Sequence, residues 1–419
     1  MNSRVRIAVT GLGTVSPLGV GVSTFWNRLL RNESAVSATE NSTLRSFAPV
    51  VAAANGFNPA DWLTKKVIND TDRFTQLALV AAAEALADAN FLEEGGALHG
   101  VDGDDVGIAM GCAFGGVQTL EAGSAKLAQN AAARLSPRLV SKSIPNAGAA
   151  AVAMKYGIRG SVLTYSTACA SSANSIGEAA YWLERDEVKM VLAGGSECLF
   201  SPSIMAGLRS AGALAVEGPE DVSRWSRPFD VDRKGMVMGE GAAFLVLERL
   251  DHARARGAHI YAEFLGYGAS NDAYHETAPH PEGAGARLAM QRALRAAGME
   301  ADDVDYVNAH ATATAAGDRA ESHALRAVFG AHLDHIPVSS IKGAVGHMLG
   351  TAGAIESLAT VKSIETGWIP STLNCDNKDE LAPPDVVQNC SRAAAIRTGL
   401  SNSFGFGGQN GVLIWGKEQ

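Results

Sequence analysis

The sequence predicts an α/β protein on three observations. Short apolar runs that end at glycine (RIAVTGLG, DVGIAMGC, VKMVLAGG) read as strands, Ala-rich amphipathic stretches (FTQLALVAAAEALADA, ARLAMQRALRAAG) read as helices, and the two kinds alternate. Alternation of this kind builds layers of sheet and helix. The chain also matches itself: DDVGIAMGC at 104–112 and DDVDYVNAH at 302–310 each follow a helical pattern and end on a chemically capable residue. VLTYSTACASSANSIGEAAYWL and VSSIKGAVGHMLGTAGAIESLATV form a second pair, each a strand, a small-residue loop and a helix. Duplication of one α/β unit accounts for both pairs. The charged stretch LERLDHARARGAHIYAEF puts the boundary near 250–260, giving expected units of 1–255 and 256–419.

Taken from the start, RIAVTGLGTVSPLG offers a strand followed by Gly11-x-Gly13. Ser16 and Pro17 stand where a dinucleotide fingerprint needs its third glycine and an unbroken helix start, so the glycines are assigned to a tight turn. The 419 residues carry a net charge of -9, with 47% hydrophobic residues, enough for a large core and more than one unit. No apolar run approaches the ~18 residues needed to cross a bilayer, and the opening lacks the apolar core of a signal peptide, so no membrane association and a cytoplasmic location are expected. The acidic balance and the absence of a basic block argue against nucleic-acid binding. Cys112, Cys169, Cys198, Cys375 and Cys390 are scattered without C-x-x-C spacing; reduced thiols are expected, with no disulfide framework and no metal.

Cys169 falls between the strand-like SVLTYS and the helix-like SSANSIGEAAYWLE. There the sulfur meets unpaired backbone N–H groups and the positive end of a helix dipole, which favour a thiolate. Ala168, Ala170, Ser171 and Ser172 leave room for an acyl group to approach. Further along, VNAHATATAAGDRAE and SSIKGAVGHMLGTAGA each place a histidine, His310 and His347, at the end of a strand-like run in a small-residue turn. An imidazole in that setting faces a cleft. His252, His259 and His332 lie in charged or loop-like stretches without such a pattern.

These stretches resemble the β-ketoacyl-[acyl-carrier-protein] synthases, the condensing enzymes of fatty-acid and type II polyketide assembly. The resemblance runs almost end to end through VTGLGTVSPLG, STACASS, RPFDVDRKGMVMGEGAAFLVLE, SNDAYHETAPHPEG, the two histidine motifs and SNSFGFGGQNG. It implies a thiolase-like fold of two similar halves, each a mixed five-stranded sheet, in αβαβα layering and usually dimeric. It implies decarboxylative Claisen condensation of malonyl-[acyl-carrier-protein] with an acyl group on Cys169, giving a 3-oxoacyl-carrier. His310 and His347 then stabilise the enolate, Cys169 and Phe406 supply backbone N–H groups to an oxyanion hole, and Phe406 gates the acyl pocket. Lys342 and Glu321 match a conserved charged pair. Thr312 and Thr314 match hydroxyls that hold the phosphopantetheine arm, and Phe114, Leu208, Phe404 and His275 are further candidate substrate contacts.

The sequence departs from the family at three places. NAHATAT has Ala311 where glycine is usual, which implies strain of about 1 kcal/mol if that backbone has positive φ. GCAFGG puts Phe114 where a smaller residue commonly lines the acyl tunnel, so a shortened cavity and short or unusual acyl groups are expected. Gly212 precedes Ala213-Leu214 where arginine is frequent, leaving Lys65, Lys66 and Arg209 as anchors for an acidic carrier. The implied partners are acyl carrier protein and a second ketosynthase-like subunit, either another copy or a chain-length factor. No permanently bound cofactor is implied. Two alternatives stand beside this reading: a coenzyme-A-dependent thiolase-like acyltransferase, which usually pairs one histidine with a second cysteine, and a catalytically silent partner subunit.

Overall fold

The computed structural model describes residues 5–93 and 95–418. In the first half, strands β1 (Ile7–Ser16), β2 (Val106–Gly111), β3 (Val162–Tyr165), β4 (Met190–Glu197) and β5 (Gly241–Arg249) pair in the order β3-β2-β4-β5-β1. The second half repeats this with β6 (Ala262–Asn271), β7 (Tyr306–Asn308), β8 (Val338–Ser339), β9 (Thr398–Gly405) and β10 (Gln409–Gly416) in the order β8-β7-β9-β10-β6. Each strand of one half thus has a counterpart five strands later. The first three in each order are mutually parallel and the remaining pairs antiparallel. The halves join where β1 pairs antiparallel with β6, Ile7 opposite Phe264 and Val9 opposite Ala262.

Helices cover and separate the two half-sheets. Helix α1 (Arg73–Asp88) packs on β1 and β5, with α2 (Ala147–Tyr156) beside it; α3 (Ser171–Glu184) and α6 (Ala352–Thr366) lie against each other between the halves; α4 (Ala284–Ala297) packs on β6 and β10, with α5 (Ala315–Phe329) beside it. This is the αβαβα layering that the resemblance implies. Strand β1 is buried at all ten positions because it is covered on both faces, so its sequence is largely apolar and the hydroxyls of Thr10, Thr14 and Ser16 are each hydrogen-bonded. The central helix α6 is likewise buried nearly all round. Gly11 and Gly13 lie inside β1 and not in a tight turn. A Cβ at these positions would stand 2.3 Å from Ala85 O and 2.1 Å from Ala81 O, so their role is to let α1 come close to the strand.

The catalytic candidates sit where parallel strands end. Cys169 follows β3, His310 follows β7 and His347 follows β8, the carboxyl edge at which open α/β sheets bind ligands. Because the halves face each other across α3 and α6, two equivalent edges converge on one place.

Candidate active site

Cys169 occupies a single 3-10 turn, Ala168–Ala170, that leads into α3. Ala168 has φ 50°, a left-handed conformation costly for a residue with a Cβ, and its neighbours hold it there. Ser171 Oγ accepts from Thr167 N at 2.9 Å and donates to Ala168 O at 2.6 Å. Asn174 Nδ2 donates to Thr167 Oγ1 at 2.8 Å, and Tyr267 OH, from β6, donates to Asn174 Oδ1 at 3.0 Å. Gly405 lies against the turn: a Cβ there would stand 2.8 Å from Thr167 O and 3.0 Å from Cys169 N. Only glycine lets the 405–408 loop close on the thiol.

The two histidines meet at that sulfur. His347 Nε2 is 2.9 Å from Cys169 Sγ, and the His310 and His347 rings stand nearly perpendicular with centroids 5.4 Å apart. One ligand-capable atom from each of the three residues lies within 4.8 Å of the others. His310 also packs edge-on against Phe404, at 5.8 Å. All three reactive side chains are buried, yet they open on a cavity of about 370 Å³ lined also by Thr312, Thr314, Phe404 and Phe406. A larger groove of about 590 Å³ beside Arg6, Glu263 and Arg397 has neither thiol nor imidazole among its lining residues, so it is not where this chemistry resides.

The charges behind the cavity decide its character. Lys342 Nζ approaches His310 Nδ1 to 3.5 Å and forms an ion pair with Glu356 of α6. A cation facing Nδ1 keeps a lone pair on that nitrogen, so the proton of neutral His310 resides on Nε2. Burial, reinforced by Lys342, holds both imidazoles well below the ordinary histidine range; His347 adds to the effect on His310. Both rings are therefore neutral. A site with a fixed cation behind it and N–H groups in front suits a developing anion; the same field opposes a metal ion at these three atoms.

Several sequence expectations are corrected here. Lys342 is paired with Glu356, not with Glu321. The Glu321 carboxylate accepts from His310 N at 2.9 Å, Ala311 N at 2.7 Å and Asn402 Nδ2 at 2.9 Å, so it holds the loop that carries His310. Burial pushes the Cys169 thiol up to about 12, against the opposing pull of Lys342 and of the Phe406 and Cys169 N–H groups, and so works against the thiolate that the helix N-terminus favours. Positive φ is found at Ala313 (67°) and not at Ala311. Phe114 does not line the cavity within this chain; its ring is 44% exposed. His275 is exposed as well, and its Nδ1 accepts from Thr277 N at 3.1 Å and Ala278 N at 3.2 Å, ordering the loop whose residues 277–279 do line the cavity.

The other candidates fall near the site. Phe406 packs in the apolar cluster around Cys169, which Leu208 joins from one side. Thr312 Oγ1 and Thr314 Oγ1 are 3.1 Å apart at the mouth, and Thr314 Oγ1 also caps α5 by accepting from Gly317 N at 3.2 Å. Lys65 and Lys66 begin a short exposed helix, Lys65–Asp70, and Arg209 is exposed with Nη1 donating to Ser46 O. Sequence reasoning missed Glu356 and Asn174. A single acid inside the apolar run AGAIESLATV was the available signal for Glu356; Asn174 had none.

The comparisons agree with this geometry. A family model described as "Beta-ketoacyl synthase, N-terminal domain" matches residues 4–253, and its C-terminal counterpart matches 261–376. The 3-oxoacyl-[acyl-carrier-protein] synthase 2 of Coxiella burnetii is 40% identical over 410 residues, covering 98% of each chain. Among solved structures, a complex of a type II polyketide acyl-carrier protein with its ketosynthase bound to a hexaketide superposes with TM-score 0.91 at 31% identity, over 99% of this chain and 100% of that one. The ishigamide ketosynthase/chain length factor superposes with TM-score 0.91 at 32% identity over 100% of both chains. The chain belongs to the β-ketoacyl synthase family, and its activity is the acyl-carrier-protein-dependent condensation of fatty-acid or type II polyketide synthesis.

Proposed function

We propose that Cys169 is the acyl acceptor and that His347 serves both half-reactions while His310 serves the second. The observation that carries this is the 2.9 Å contact between His347 Nε2 and the Cys169 sulfur, inside a cavity that His310 also faces. Because the thiol holds its proton at neutral pH, attack needs a base in contact, and the neutral His347 imidazole is that base. As sulfur bonds to the acyl carbonyl of an acyl-carrier thioester, the proton passes to His347. The C–S bond to phosphopantetheine then breaks, and the departing thiolate takes the proton back.

Malonyl-carrier enters next, with its pantetheine arm beside Thr312 and Thr314. The bond to its carboxylate breaks, carbon dioxide leaves, and the electron pair moves toward the thioester oxygen. Nε2–H of His310 stabilises that oxygen, and so does Nε2–H of His347 once its ring has passed its proton from Nδ1 to Nε2 through water in the emptied cavity. The enolate carbon attacks the Cys169 thioester, whose oxygen is held by the Cys169 and Phe406 N–H groups. Collapse expels the Cys169 sulfur as a thiolate, which a solvent proton neutralises, and releases the 3-oxoacyl-carrier. Carriage of both substrates on acyl carrier protein leaves no step that needs a bound cofactor.

The edge of the first half supports a ketosynthase-type partner, a second copy or a chain-length factor. Strand β3 is paired on one side only, and Leu163 on it is 51% exposed. Phe114, Leu120, Val140 and Ile144 are further exposed apolar side chains from the segments following β2. Lys65, Lys66 and Arg209 are the proposed contacts for the acidic carrier. Residues 1–255 and 256–419 are the proposed units, one carrying the thiol and the other both imidazoles. Five free cysteines and no described helix long and apolar enough to cross a membrane are in keeping with a cytoplasmic enzyme. The test is carbon dioxide release from malonyl-carrier, with and without an acyl-carrier donor. The wild type is expected to release it and form 3-oxoacyl-carrier, and Cys169→Ala to form no condensation product. A wild type that releases none, or that turns over acetyl-coenzyme A in preference, overturns the reading.

A further inference from the structure

An asparagine on the buried face of a helix must find partners for both ends of its amide. Asn174, in the first turn of α3, is buried and uses both. Its Nδ2 donates to Thr167 Oγ1 at 2.8 Å, and its Oδ1 accepts from the OH of Tyr267, also buried, at 3.0 Å. The three side chains thus form a relay that starts on β6, in the second half of the chain, and ends two residues before the nucleophile.

Backbone makes room for this relay at two points. A Cβ on Gly177 of α3 would stand 2.3 Å from the Tyr267 ring, and a Cβ on Gly411 of β10 would stand 2.6 Å from Asn174 Oδ1. Tyr181 packs against the same tyrosine ring, with centroids 6.0 Å apart. Ring and amide are confined, so the relay transmits the position of β6 to the turn. None of its three residues lines the cavity that holds the thiol.

Thr167 is the pivot of the nucleophile turn. Its N donates to Ser171 Oγ, its carbonyl lies against Gly405, and its φ of -132° is followed by the left-handed Ala168. The relay holds what those contacts leave free, the Thr167 side chain. How this residue is turned decides where the next peptides point, and Cys169 N is one of the two donors assigned to the thioester oxygen.

We propose that Asn174, held by Tyr267, is a positioning residue that keeps the Cys169 N–H and sulfur aligned with the thioester carbonyl, so that the second half of the chain governs acyl transfer without touching substrate there. This rests on the condensing-enzyme reading above. Decarboxylation of malonyl-carrier uses the two imidazoles and neither the Cys169 N–H nor its sulfur. Loss of the relay therefore uncouples the reaction. The bond to the carboxylate still breaks and carbon dioxide leaves, but the enolate carbon, lacking an aligned acceptor, takes a proton from water and departs as acetyl-carrier.

The test compares the wild type with Asn174→Leu, Tyr267→Phe, Thr167→Val and Thr167→Ser. Acyl transfer to Cys169 is read from the protein mass, carbon dioxide release is measured with malonyl-carrier alone, and the ratio of 3-oxoacyl-carrier to acetyl-carrier is measured with both substrates. Asn174→Leu, close in volume but without polar atoms, is expected to lower acyl transfer at least roughly tenfold through kcat, the scale of a small misplacement of a reacting group, with KM and carbon dioxide release within about twofold of wild type. Thr167→Val should behave alike, and Thr167→Ser, which keeps the hydroxyl, should recover most of the rate. Tyr267→Phe leaves Asn174 in contact with Thr167 and should cost less, roughly threefold, with the same shift toward acetyl-carrier. Equal losses in acyl transfer and in carbon dioxide release overturn the proposal, because a merely structural role would lower both. An unchanged product ratio overturns it too, as does a Thr167→Ser variant as impaired as Thr167→Val. Should Asn174→Leu fail to fold, Tyr267→Phe, which removes a single oxygen, decides by the same criterion. A wild type that forms no 3-oxoacyl-carrier defeats the condensing-enzyme reading itself, and the wild-type reaction alone reveals that case.

Discussion

The two halves are built from the same strand order and differ in what their loops carry. In each, a 3-10 turn with a left-handed residue precedes the central helix: Ala168 (φ 50°) before Cys169 in the first half, Leu349 (φ 40°) before Gly350 in the second. The first turn exposes a thiol to the cavity. The second has no space for any side chain, since a Cβ on Gly350 would meet Glu197 Oε2 at 2.5 Å and Ala113 N at 2.9 Å. In each half, too, the loop after the second strand is clamped by a buried carboxylate, but Glu197 holds residues 113–115 and Glu321 holds His310. Duplication supplies two equivalent edges facing one cavity; on the assignment proposed above the first half brings the thiol and the second brings both imidazoles, one of them also the base for covalent capture. Neither half contains the site alone.

Removing the thiol tests this division most severely. Cys169→Ala should lower condensation at least ~10³-fold, as loss of a nucleophile does elsewhere. Cys390→Ala, an exposed thiol in the second half, should leave the rate unchanged. Product formation measured by mass spectrometry of the carrier decides it. Equal losses in the two variants would mean that the first half does not own the covalent step.

The histidines sharpen the comparison because only one of them touches the sulfur. His310→Ala and His347→Ala should each slow malonyl decarboxylation by ~10²–10³-fold, the usual effect of deleting a donor to a developing oxyanion. Acyl transfer to Cys169, measured alone, should fall strongly in His347→Ala and little in His310→Ala, in keeping with the 2.9 Å contact. Similar effects of both variants on acylation would break the assignment. A pH profile adds a check on charge. Both imidazoles titrate well below 6.5, so decarboxylation should stay level as pH is lowered through that value. Burial pushes Glu356 up to about 7, and its protonation would leave Lys342 without its negative partner, holding the rings neutral more strongly. A loss of rate centred near 6.5 would show the rings protonating as ordinary histidines and remove the donor role.

Much of this was legible in the sequence, for identifiable reasons. The pairs DDVGIAMGC/DDVDYVNAH and VLTYSTAC/VSSIKGAV occupy equivalent strands because a duplicated unit keeps its apolar runs and small loops. Cys169, His310 and His347 could be picked out because each follows a strand-like run and sits in a turn of small residues, although all three side chains are buried in the fold. Side-chain direction was not legible. The Phe114 ring points outward and His275 caps its own loop, and no local pattern reports either fact. Nor was the state of the thiol: the helix N-terminus argued for a thiolate, but burial works against it, and burial is set by residues from both halves. The partner of Lys342 was missed because Glu321 and Glu356 both approach it in space, and only coordinates tell which makes the ion pair.

The smallest predicted effect concerns the loop that the second half uses to present His310. Ala313 is left-handed (φ 67°), with N donating to Asp318 Oδ1 at 3.1 Å and O accepting from Gly235 N at 3.0 Å, so the fold holds it there. Ala311 has ordinary φ and is fixed by Glu321 and by Ser340 Oγ. Glycine relieves strain only at 313, by about 1 kcal/mol. At either position it also loosens the unfolded chain, costing roughly 0.4–1 kcal/mol. The two effects nearly cancel in Ala313→Gly, whereas Ala311→Gly carries the cost alone. Chemical denaturation should therefore find Ala313→Gly near wild type and Ala311→Gly less stable, the two variants differing by about 1 kcal/mol. The reverse order would place the strain at the residue beside His310, and the account of how Glu321 and Asp318 share this loop would be wrong.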